Sequence, residues 1–85
     1  MPSPILIEIY SRPGCHLCDD AKAAVLRSRR RFGFELSVID IDRDPALESA
    51  YGTAIPVVCI NGEPAFRYAV DEDELTRRLQ QLWNT

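Results

Sequence analysis

Two cysteines three positions apart, Cys15 and Cys18, stand where one kind of sequence pattern stops and another starts. Before them runs Ile5-Leu6-Ile7-Glu8-Ile9-Tyr10, almost continuously apolar; after them, Ala21 to Arg31 has the spacing of a helix. A Cys-x-x-Cys pair opening a helix after a strand is suited to thiol–disulfide chemistry. The spacing places both sulfurs within one helical turn, close enough to join. The free amide donors and the positive dipole end of the helix then stabilise a thiolate on the first cysteine. Thiols in such places titrate at roughly 3.5 to 7.5, against about 8.5 for a free one. Arg12 adds a positive charge nearby. Cys15 is therefore the candidate nucleophile, and Cys18, one turn inward, its more shielded partner. His16 between them either supports the thiolate and shuttles a proton or is simply solvated; both readings stand. Asp19 and Asp20 oppose a thiolate somewhat, and their simpler role is to complement the helix dipole.

Eighty-five residues make one domain, 1–85, with room for one small core. A hydrophobic content of 46% and a charged content of 27% are ordinary for a soluble globular protein. A net charge of −3 argues against a nucleic-acid partner, which would need a basic face. No apolar run approaches the roughly 20 residues that span a bilayer, so no membrane role is expected. Met1-Pro2-Ser3-Pro4 lacks the charged start and cleavage pattern of a secretory signal. A cytoplasmic monomer is the expectation, and in that compartment a disulfide is catalytic or transient rather than structural. Three cysteines also make a poor staple framework, because one is left over.

The remaining elements follow in order. Residues 1–4 form an extended lead-in, and Ile5 to Tyr10 reads as a central strand covered on both faces, with Glu8 nearing solvent. Arg12-Pro13-Gly14 is a loop. From His16 to about Arg31, Leu17, Ala21, Ala24, Val25 and then Phe32 form the apolar stripe of a helix stopped by Gly33. The arginines at its end read most simply as a solvated face. Leu36 to Ile41 is a second strand. Asp40, Asp42 and Asp44 imitate the opening of a calcium loop, but the glycine and the closing glutamate of such a loop are missing. Asp44-Pro45 instead caps a short helix, Pro45 to Tyr51. Ile55 to Ile60 and Glu63 to Tyr68 are strands joined by an Asn61-Gly62 hairpin turn. Asp71 to Trp83 is a helix whose buried stripe is Leu75, Leu79, Leu82 and Trp83. The order βαβαββα predicts a four-stranded mixed sheet with three helices on its faces, the first two strands parallel and the last pair antiparallel. Cys59 is most economically a small buried core residue.

Taken together, the chain resembles the thioredoxin superfamily, and within it the small glutaredoxin-like proteins. Tyr10-Ser11-Arg12 followed by Cys15-x-x-Cys18 looks like the glutaredoxin opening. Thr53-Ala54-Ile55-Pro56-Val57-Val58 looks like that family's cis-proline segment, and Arg12-Pro13-Gly14-Cys15-His16-Leu17-Cys18-Asp19-Asp20 is most similar to a bacterial glutaredoxin-like branch. The resemblance implies a thioredoxin-like α/β fold of glutaredoxin type and thiol–disulfide oxidoreductase activity. Cys15 attacks a substrate disulfide and Cys18 resolves the mixed disulfide. It also implies that Pro56 is cis and faces the sulfurs, and that Ile55 offers backbone groups to an extended substrate. Arg12, His16, Ile55, Pro56 and Asp71 are thus the candidate substrate-binding residues. Where glutaredoxins carry a Gly-Gly pair and an acidic residue, this chain has Phe66-Arg67-Tyr68-Ala69-Val70-Asp71. The substrate is a protein disulfide or a glutathione mixed disulfide, with an external reductant. No bound cofactor is implied, and glutathione is a candidate co-substrate. The alternative is a zinc or iron–sulfur site on Cys15, His16 and Cys18, or a redox-sensing module without turnover, although the chain lacks a second ligand pair.

Overall fold

The structure, a computed structural model, describes residues 4–83. In chain order it contains β1 (Leu6–Ser11), α1 (His16–Ser28), β2 (Glu35–Asp40), α2 (Pro45–Tyr51), β3 (Val57–Ile60), β4 (Glu63–Arg67) and α3 (Glu72–Trp83). A 3-10 turn, Ile41–Arg43, leads into α2. The strands form one sheet in the order β2-β1-β3-β4. β1 runs parallel to β2 and antiparallel to β3, and β3 is antiparallel to β4. This is the mixed sheet and the βαβαββα order that the sequence predicts. The lead-in expected at 1–4 lies mostly outside the described residues.

The period-2 geometry of strands divides the sheet into two unlike faces. Ile7 and Ile9 of β1 and Val58 and Ile60 of β3 point to one side, where they meet Ala21 and Val25 of α1 and Leu75 and Leu79 of α3. Across the sheet, Tyr10, Val57 and Cys59 meet Ala54 and Tyr51, the last residue of α2. Tyr10 and Tyr51 lie with ring centroids 4.6 Å apart. The first face holds the larger core. β1 therefore alternates in burial rather than being covered evenly on both sides. Glu8 is not near a solvent-facing strand end; it sits mid-strand on the α2 face, half-buried and opposite Cys59.

Several boundaries differ from the expectation for local reasons. α1 stops at Ser28, because Arg30 and Arg31 donate three residues back, to the Arg27 and Ser28 carbonyls, which tightens the turn. That turn brings Phe32 into the core. β3 begins at Val57 rather than Ile55, after the cis bond between Ile55 and Pro56. α3 begins at Glu72, with Asp71 before it accepting the Glu74 amide at 3.1 Å. Three apolar side chains assigned to buried stripes are turned out or only partly covered. Leu17 is 50% exposed; Trp83 is 44% exposed, with its ring edge-on to Phe32 at 6.1 Å; Leu82 is half-buried.

The hairpin matches its sequence closely. Asn61 and Gly62 both have positive φ, 51° and 83°, as a type I′ turn requires. Asn61 also extends β1, accepting from the Leu6 amide at 2.9 Å through its side chain and donating to the Leu6 carbonyl at 2.8 Å.

The unequal faces predict unequal sensitivity. Leu79→Ala, at a fully buried position of α3, should lose about 2–5 kcal/mol in urea unfolding. Val38→Ala, on the exposed edge strand β2, should stay within about 0.5 kcal/mol. Equal losses at the two positions would mean that α3 is not seated on the sheet as described.

Candidate active site

β1 delivers the chain to the end of the sheet at Ser11. Arg12 and Pro13 follow, and Gly14 takes a φ of 80°, which a residue without a Cβ adopts without strain. Cys15 comes next, still extended (φ −88°, ψ 109°), as the N-cap of α1. Its Sγ accepts the Cys18 backbone N–H at 3.2 Å. A cysteine thus does what serine or aspartate does at most helix starts, satisfying one of the free amide donors of the first turn. A negative charge on that sulfur gains from the same donor and from the helix dipole.

The two sulfurs are at bonding distance, with Cα atoms 5.2 Å apart, within the ordinary range for a disulfide. Cys15 is half-buried at the surface, whereas Cys18 is 5% exposed. Cys15 is therefore the more accessible residue of the pair. His16 and Leu17 between them both face outward.

Arg12 lies elsewhere than expected. Its Nε donates to Asp42 Oδ1 at 3.1 Å and its Nη2 lies 3.8 Å from Glu48 Oε1. Asp42 is in the 3-10 turn and Glu48 in α2, so the guanidinium ties the cysteine loop to the far side of the sheet. The donor that reaches the Cys15 sulfur is the Cys18 amide. No rule of sequence reading links positions 30 apart, which is why this pairing was not expected. Asp40 and Asp44, from the calcium-like run, accept the Asp42 and Ala46 amides at 2.9 Å each as local caps. Among the described residues, no three His, Cys, Asp or Glu side chains gather as a metal site.

The register brings the remaining candidates to the same end of the sheet. Tyr10 pairs with Val57, so Ile55 and Pro56 leave the sheet where Ser11 and the cysteine loop do. The Ile55–Pro56 peptide bond is cis. The Pro56 carbonyl accepts the Tyr68 amide at 2.9 Å, which seats the residue after β4 beside this segment. Among the described residues, no backbone hydrogen bond takes up the Ile55 N–H or C=O. Asp71 serves as the cap of α3 through one carboxylate oxygen.

The third cysteine differs from the first two. Cys59 lies on β3 across from Glu8, buried on the α2 face. Burial pushes its thiol up, Glu8 adds to the shift, and Arg67 opposes it. Burial also raises Tyr10, with smaller contributions from Glu8, Cys59 and Tyr51.

A dithiol at a strand-to-helix joint, on a sheet of this order, defines a thioredoxin-fold protein. The chain belongs to the glutaredoxin-like domain (DUF836) family, whose model matches residues 6–80. A Nitrosomonas europaea protein solved by NMR superposes with a TM-score of 0.81 and is 30% identical, over 93% of this chain and 95% of that one. A mutant thioredoxin from Halobacterium salinarum superposes with a TM-score of 0.65 over 94% of this chain and 75% of that one; at 24% identity it is a likeness of fold. A protein of Methanothermobacter thermautotrophicus named as a probable thioredoxin is 35% identical over 74 residues, 81% of this chain and 85% of its own length. Among the described residues, no helix is long and apolar enough to cross a membrane.

The raised Cys59 and Tyr10 groups give a signed pH dependence. Each keeps its proton longer in the fold than in the unfolded chain. Their contribution to stability is therefore complete below the unfolded thiol pKa of about 8.5 and is lost as pH rises beyond it. In the disulfide form, where Cys15 and Cys18 do not titrate, the unfolding free energy should fall as pH rises above about 8.5. The fall should be smaller in Cys59→Ala. A fall of the same size in that variant would exclude the thiol as its source.

Proposed function

We propose that the protein is a thiol–disulfide oxidoreductase that reduces protein disulfides or glutathione mixed disulfides through Cys15 and Cys18. The observation that carries this reading is the placement of Cys15. It is the surface-accessible sulfur of the pair and the N-cap of α1, with the Cys18 amide donated to it.

In the dithiol form, the Cys15 thiolate attacks one sulfur of a substrate disulfide. A sulfur–sulfur bond forms between Cys15 and the substrate, and the substrate's other sulfur leaves as a thiolate. Cys18 then loses its proton and attacks Cys15 Sγ, which releases the second substrate thiolate. Two electrons have passed from the dithiol to the substrate, and Cys15 and Cys18 are left joined. An external thiol reductant, for which glutathione is a candidate, returns the pair to the dithiol by the same exchange in reverse. No bound cofactor enters the cycle. Burial of Cys18 favours this order, since an incoming substrate meets Cys15 first. The Ile55 backbone groups, at the end of the sheet that carries the cysteine loop and without a backbone partner among the described residues, are available to an extended substrate.

Alkylation of the reduced protein at neutral pH tests the assignment. One thiol should react fast, be absent in Cys15→Ser and persist in Cys18→Ser, and Cys18→Ser should accumulate a stable mixed disulfide with substrate. If both thiols react only above roughly pH 8.5, Cys15 is not an activated nucleophile. A preparation carrying zinc or a coloured cluster would favour the metal alternative instead.

A further inference from the structure

Tyr68, just after β4, has a φ of 68°. The left-handed region is unusual for any residue with a side chain, and for a bulky one it is an outlier. The strain is held by two bonds. The Tyr68 amide donates to the Pro56 carbonyl at 2.9 Å, and the Ala69 amide closes a three-residue turn onto the Arg67 carbonyl at 2.7 Å. A γ-turn with positive φ at its centre is the rare, strained hand of that turn. Glycine would occupy it without cost. The ring gains the fold little in return: it is 53% exposed, and among the described residues it has no aromatic, cationic or hydrogen-bonding partner. Backbone strain held in this way by its surroundings clusters at functional sites.

The position of the ring suggests what that function is. Through its bond to Pro56, Tyr68 stands at the end of the sheet that carries the cysteine loop. Leu17, in the first turn of α1, is half exposed on the same loop-proximal end. At this end of the sheet the Ile55 N–H and C=O have no backbone partner among the described residues, which is the arrangement that accepts an extended peptide by strand-like pairing. Exposed apolar side chains at the end of the sheet that carries free backbone groups suit a polypeptide. Glutathione presents two carboxylates, which call for cations, and one ammonium group, which calls for an acceptor. Arg12 is already held by Asp42 and Glu48, and Arg67 follows Val57 to the opposite face, beside Cys59.

We propose that Tyr68 is a specificity-determining residue of the Cys15–Cys18 site. Its exposed ring packs against an apolar residue of an extended polypeptide disulfide and favours that class over glutathione mixed disulfides. The assignment rests on the oxidoreductase reading above.

Single-turnover rates of the pre-reduced full chain test it, because they need no recycling partner. Reduction of insulin disulfides is compared with reduction of the glutathione–cysteine mixed disulfide. In Tyr68→Gly, which suits the turn, the ratio of insulin rate to mixed-disulfide rate should fall about tenfold, through the insulin rate. Tyr68→Phe, which keeps the ring, should hold the ratio within about twofold. A ratio left unchanged by Tyr68→Gly, with both rates present, overturns the Tyr68 assignment alone. An equal loss in Tyr68→Phe overturns the role of the ring face. A wild-type protein that reduces neither substrate overturns the oxidoreductase reading and this assignment with it.

Discussion

The hydrogen bond from the Cys18 amide to Cys15 Sγ, 3.2 Å long, joins the folding problem to the chemical one. A helix that starts at the surface leaves amide donors without partners, and something must satisfy them. Here the sulfur does so, and the geometry that caps α1 also aims a donor at Cys15 Sγ, where a thiolate would gain from it. The site therefore needs little further machinery. It needs β1 to end where it does, Gly14 to turn the chain, and α1 to be held firmly enough that its first turn stays formed. Ala21 and Val25, packed on Ile7 and Ile9, provide that hold.

Three cysteines in one small chain show how environment divides a residue type. Cys15 is surface-accessible at a helix start, Cys18 is shielded one turn inward, and Cys59 is buried in a strand opposite a carboxylate. Desolvation and Glu8 both keep the Cys59 thiol protonated. A helix N-terminus acts in the other direction on Cys15. The two thiols thus stand in chemically different surroundings.

Much of this was legible in the residues. Hydrophobic period gave the helices and strands, Asn61-Gly62 identified the hairpin, Asp44-Pro45 the start of α2, and the cysteine spacing the joining of the two sulfurs at the start of α1. What was not legible depends on partners distant in sequence. Arg12 near Cys15 in the chain read as support for the thiolate, yet its charge goes to Asp42 and Glu48, which only the fold brings within reach. Leu17 and Trp83 fit their helical stripes by spacing, but a stripe at the first or last turn of a helix can overshoot the surface it packs on. The same limit applies to Tyr68. Its bulk in a glycine-like position was visible, whereas the left-handed backbone beneath it was not.

The electrostatic surroundings sharpen the account of Cys15. Asp19 and Asp20 lie in the first turns of α1, and Asp40 and Asp42 stand at the same end of the sheet, in a chain of net charge −3. By sign alone these groups disfavour a thiolate. They are largely solvent-exposed, however, and exposed charges are screened over roughly 8–10 Å at physiological ionic strength. Asp42 is also neutralised locally by Arg12, and Asp40 Oδ1 accepts the Asp42 amide. A donor in direct contact with the sulfur is not screened in this way. Salt therefore weakens the acidic field around Cys15 more than it weakens the hydrogen bond at the helix start. Arg12 serves the site by quieting a carboxylate and anchoring the loop rather than by touching the sulfur.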